Sequence, residues 1–117
     1  MDLEIAAVAS SGGTSPGPFS IVFRHAETRR IEGINAAVPR IEDYVILKLF
    51  AATANLRRRA HDLADVQYAI EAFPEQGHRS LSVPAIRARL RDVYGVSGER
   101  LKELVVLFRQ LRRASTA

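Results

Sequence analysis

Cysteine is absent from these 117 residues, which excludes disulfides, thiolate zinc sites and cysteine nucleophiles and accords with a reducing cytoplasm. Histidine is sparse. His25, His61 and His78 stand far apart without metal-ligand spacing, so no metal ligands are expected among them. Lysine is scarcer still, because fifteen of the seventeen basic residues are arginine and only Lys48 and Lys102 remain. No apolar run is long enough to cross a bilayer, and the first residues lack the basic and apolar regions of a secretion signal. The expectation is a cytoplasmic protein with no membrane partner.

What is present suits a single domain of the α+β class. A length of 117 residues with 47% apolar content is enough for one core. The net charge of +4 and pI near 10.1 give a mild bias towards phosphate-bearing partners, a bias that ordinary solvated helix faces produce equally well.

Residues 1–39 read as strands and a loop. The stretch DLEIAAVA, residues 2–9, starts as an alternation and ends as a small apolar run, the pattern of a strand buried on at least one side. A core strand this close to the first residue suggests material upstream. Residues 10–18, SSGGTSPGP, form a loop; the glycine spacing, helix start and lysine of a phosphate cradle do not follow it. Residues 19–23 and 31–38 alternate as further extended segments, so a small N-terminal sheet of two to three strands is expected. Pro39 closes it, since proline has no amide to continue a ladder.

The period then changes from two to about 3.6 and about four helices follow. The first spans residues 41–54, with Glu42 and Asp43 in its first turn at the positive end of the helix dipole and Asn55 as terminator. The second spans residues 61–73, with Arg57, Arg58 and Arg59 in the turn before it. Together they form a helix pair within 41–73. Residues 82–113 read as a helical hairpin: Ser82 caps a helix with Ile86, Leu90, Val93 and Tyr94 inside and Arg87, Arg89 and Arg91 mostly outside. Gly95 ends that helix. Ser97 caps a last one whose stripe of Leu101, Leu104, Val105, Phe108 and Leu111 runs down to Arg112 and Arg113.

Two charges stand out because burial on a helix face is expensive for them. Lys48 shares its face with Tyr44, Val45, Ala51 and Ala52, none of which pairs with an ammonium. Asp62 projects within the face made by Leu63, Val66, Ala69, Ile70 and Phe73, and Asp65 lies at its edge. An ammonium and a carboxylate on consecutive apolar faces are expected to meet, or to converge on one ligand.

The same two segments carry a resemblance. Glu42-Asp43-Tyr44-Val45-Ile46-Leu47-Lys48-Leu49 followed by Arg59-Ala60-His61-Asp62-Leu63-Ala64-Asp65-Val66 resembles the C-terminal half of the nucleotidyltransferase superfamily, in its bacterial branch of abortive-infection, toxin-antitoxin and minimal enzymes. There an acidic-apolar-lysine helix precedes one that opens with a basic residue, aspartate, an apolar residue, any residue and aspartate. The resemblance implies that Lys48 reaches a nucleotide phosphate, that Asp62 supports the lysine, and that Asp65 assists. Asp2, with Glu4 as the weaker candidate, matches the third catalytic carboxylate. Arg40 stands where the family often has serine, and His61 where it has lysine or arginine.

The glycine-serine turn with two aspartates one residue apart, which holds the two metal ions of such enzymes, is absent from the sequence. The resemblance therefore implies a truncated, split or degenerate enzyme, inactive as this chain alone. Mg2+ and a nucleoside triphosphate are expected to act only with a complementing first half on a second polypeptide; a homo-oligomer is the other partnership expected. Two other readings stand beside it. The turn Gly95-Val96-Ser97-Gly98 fits a helix-turn-helix placing Arg100, Lys102 and Arg109 on DNA. Alternatively, Lys48 and Asp62 form a structural pair in a protein-interaction module, with Lys48 extending its tip to solvent, Asp62 serving the first turn of its helix and Asp2 lying at a frayed start.

Overall fold

The computed structural model describes residues 17–72 and 81–116. The strand expected at residues 2–9, with Asp2 and Glu4, lies outside the described residues, as do most of the following loop, Phe73, Pro74 and His78. The described chain runs α1 (Pro18–Arg24), β1 (Glu27–Ile31), β2 (Ile34–Val38), α2 (Ile41–Ala54), α3 (Arg59–Ala72), α4 (Val83–Asp92) and α5 (Gly98–Thr116). This is an α+β fold, with a small two-stranded antiparallel sheet ahead of four helices.

Residues 19–23, expected as a strand, are helical. Pro18 occupies the first turn after Gly17, where its fixed φ favours a helix and its missing amide costs nothing. Adjacent Ile21 and Val22 are both buried, which a strand would place on opposite faces. The segment 31–38 is also not one continuous strand. Glu32 and Gly33 both have positive φ, 51° and 81°, and make the two-residue turn of a hairpin. Its register pairs Glu27 with Val38, Arg29 with Ala36 and Ile31 with Ile34, so these six side chains share one face of the ribbon.

Helix α2 has the bounds its periodicity predicts, and Asn55 ends it, its amide bonding the Ala51 carbonyl. Helix α3 begins at Arg59, two residues before the expected start. The side chain of Asn55 accepts from the Arg57 amide at 3.1 Å and turns the chain between the two helices. Ser82 caps α4 as expected, accepting the Ala85 amide at 3.2 Å.

The α2–α3 pair packs against α4 and α5 around Ile46, Leu49, Val66, Ile86, Leu90, Leu104 and Phe108, all fully buried. Helix α1 lies on α2. Gly95 takes the left-handed conformation that stops α4. Among the described residues, no helix is long and apolar enough to cross a membrane.

Candidate functional site

Lys48 sits in the second half of α2, and Asp62 and Asp65 sit one turn apart near the start of α3. The antiparallel helix pair brings all three together. The Lys48 ammonium lies 2.8 Å from Oδ2 of Asp65 and 3.6 Å from Oδ1 of Asp62. It also stands 5.7 Å from the centroid of the Tyr44 ring, one helical turn back on α2.

The three charges differ in their access to water. The Asp62 side chain is 4% exposed, whereas those of Lys48 and Asp65 are 26% and 30% exposed. Oδ2 of Asp62 is buried and has no hydrogen-bond partner among the described residues. The cluster is thus anchored at a buried carboxylate and opens to solvent at the ammonium.

Burial works against the Lys48 ammonium, but its bond to Asp65 and the charges of Asp65, Tyr44 and Asp62 outweigh that effect and raise its pKa above the ordinary lysine value. The bond donated by Lys48 holds Asp65 below the usual aspartate value against a smaller opposing effect of burial, with further help from the charges of Lys48, His61 and Arg58. Burial pushes the Tyr44 hydroxyl up, aided by Asp65 and Asp62 and opposed by Lys48. At neutral pH the centre is a charged lysine clamped by ionised Asp65. A clamped ammonium loses little side-chain freedom when it takes a further acceptor, and its one hydrogen bond, to Asp65, leaves N–H donors for that purpose.

A second charged centre escaped sequence reasoning. Asp43 is wholly buried and accepts from Arg89 Nε at 2.6 Å, Arg89 Nη2 at 3.0 Å and the Tyr94 hydroxyl at 2.8 Å. Asp43 is therefore more than a dipole partner at the helix start, and Arg89 turns inward instead of lying outside with Arg87 and Arg91. The bond to Asp43 raises the Arg89 pKa. Burial, followed by that same carboxylate, lifts the Tyr94 hydroxyl far above its normal range. All three groups are mutually satisfied, so this centre joins helices and offers no reactive atom.

The other expected residues fall as follows. Arg57 and Arg58 are exposed in the turn, and Arg59, in α3, donates to the Ala52 carbonyl at 3.5 Å. Arg100 lies 5.7 Å over the Phe50 ring and 3.5 Å from Glu103, while Lys102 and Arg109 are exposed on α5. Among the described residues no three His, Cys, Asp or Glu side chains gather closely enough to hold a metal ion. Asp62 and Asp65 both face Lys48, and this donor set does not fit a two-metal centre.

Comparison with protein-family models, with curated proteins and with solved structures yields no match to this chain.

Proposed function

We propose that the α2–α3 pair is the nucleotide-contacting part of a nucleotidyltransferase-like protein, with Lys48 as the phosphate anchor. The observation that carries this reading is the ammonium held at 2.8 Å by Asp65 and 3.6 Å by the buried Asp62 while its own side chain stays partly exposed. Asp62 and Asp65 are positioning residues. They fix the lysine rotamer, and Arg58 adds positive charge beside Asp65. The motif resemblance supplies the ligand class.

Transfer chemistry lies outside this reading of the chain. The sequence contains no glycine-serine turn with paired aspartates, and neither Asp62 nor Asp65 substitutes for that pair, because each is engaged by the lysine. We assign the metal-binding carboxylates to a second polypeptide, with this chain contributing nucleotide contacts alone.

Calorimetric titration with ATP tests the assignment. Binding by the wild type that is retained in Lys48→Arg and lost in Lys48→Met, with both variants folded by circular dichroism, is the expected result. Absence of binding by the wild type, or equal affinity in Lys48→Met, overturns it. Pyrophosphate release by the purified chain would overturn the assignment of chemistry to a second polypeptide.

A further inference from the structure

A cavity of about 480 Å³ opens between one face of the hairpin and the α2–α3 pair, a volume within the range of small-molecule sites. Ile31 and Val38 from the ribbon and Ile41 from α2 form apolar walls, and the rings of Tyr44 and Tyr68 line it from the two helices. Three features mark it as a site for a flat, polar-edged ring.

The first is Tyr44, whose ring belongs both to the cavity wall and to the Lys48 centre, where the ammonium stands 5.7 Å from its centroid. The cavity and the phosphate anchor are therefore neighbours across one side chain. The second is Tyr68, which is 72% exposed although it borders an apolar recess. An aromatic face left in solvent beside apolar walls is a stacking surface. The third is Arg40. Its Nη2 donates to Glu42 at 3.0 Å, and the rest of its partly exposed guanidinium brings further N–H donors to the cavity wall. A ring nitrogen or exocyclic carbonyl in the cavity is an acceptor for such a donor.

We propose that this cavity receives the nucleobase of a nucleotide whose phosphates lie on Lys48, a proposal that rests on the reading of Lys48 given above. The base lies against Tyr44 and Tyr68, and its polar edge accepts from the Arg40 guanidinium. Glu27, Arg29, Arg40 and Glu42 also line the cavity, so its rim offers both donors and acceptors to the polar edge of a base.

The test uses ATP and inorganic triphosphate as paired probes in calorimetry, with the full chain and its Tyr68→Ala variant, whose exposed side chain leaves the core intact. The expected result is an ATP affinity about tenfold weaker in Tyr68→Ala, as for loss of one stacking contact, with triphosphate affinity unchanged. Saturation-transfer NMR should pass magnetisation between the Tyr44 and Tyr68 ring protons and the adenine protons. ATP binding that depends on Lys48 but is the same in Tyr68→Ala, with no transfer to either ring, overturns the base site and leaves the phosphate anchor standing. If neither probe binds the wild type, the phosphate anchor falls and the base site falls with it.

Discussion

Arg89 clamps Asp43 with a two-pronged fork, Nε to Oδ1 at 2.6 Å and Nη2 to Oδ2 at 3.0 Å, and so ties α4 to the first turn of α2. Asp43 has no exposed surface and the Arg89 side chain is only 13% exposed, so water replaces neither partner. Removing the arginine leaves a buried carboxylate with the Tyr94 hydroxyl alone. Arg89→Ala is expected to cost about 3–5 kcal/mol, the usual penalty for stranding one member of a buried pair. Urea unfolding followed by circular dichroism measures it. A cost below about 1 kcal/mol, typical of an exposed pair, would show that the fork contributes nothing special.

The Lys48–Asp65 pair predicts a pH window. Asp65 has a folded pKa below the ordinary aspartate value of 3.8, so its contribution is fully present above that value and is lost as pH falls through the lower folded pKa. Lys48 has a folded pKa above 10.5, so its contribution is present below 10.5 and is lost as pH rises through the higher folded value. The stability difference between wild type and Asp65→Asn should therefore be constant from about pH 5 to pH 9 and shrink in acid below about pH 4. Thermal melts across this range check it; a difference that grows in acid contradicts the pairing.

How much of this was legible in sequence depended on the range of the interaction. The bounds of α2 followed from its period and from Pro39 and Asn55 at its ends, and the Lys48–Asp62–Asp65 meeting followed from charges on the apolar faces of consecutive helices. The hairpin was half visible: the alternation held over residues 34–38, but Gly33 was the only turn signal and Glu32 is an unusual residue for positive φ. In α1 a window of five residues was too short to separate a period of two from 3.6. The Asp43–Arg89 fork was hidden, because its partners are 46 residues apart and a first-turn acid already has a sufficient local explanation in the helix dipole.

That turn gives a prediction confined to the sheet. Glu32 at φ 51° bears the cost of the left-handed region, about 1 kcal/mol or more for a residue with a β-carbon, whereas asparagine is at home there. Glu32→Asn should slow amide exchange at the hairpin amides of Ile31 and Ile34 without altering protection in α2. Gly33→Val, at φ 81°, should do the reverse. Exchange measured by NMR is the suitable readout, since a two-stranded ribbon opens locally before the helices unfold. Equal exchange rates in all three proteins would mean that the turn does not govern the ribbon.

Lys48 and Asp62 should behave as a coupled pair in stability as well as in binding. Lys48→Met removes the cation facing a carboxylate that is 4% exposed and whose second oxygen already lacks a partner. That single substitution is expected to destabilise the fold by about 1–3 kcal/mol, the penalty for an unsatisfied buried polar group. Asp62→Leu in the same chain removes the stranded charge and fills its place with apolar volume against Val66 and the core. The double variant Lys48→Met/Asp62→Leu should regain most of that loss, because an ion pair exchanged for packed apolar groups is often neutral or stabilising. A double-mutant cycle by urea denaturation yields the coupling energy. A coupling near zero would place the ammonium in solvent, held by Asp65 alone. A large one, together with loss of ATP binding in the stable double variant, separates what the pair does for the ligand from what it does for the fold.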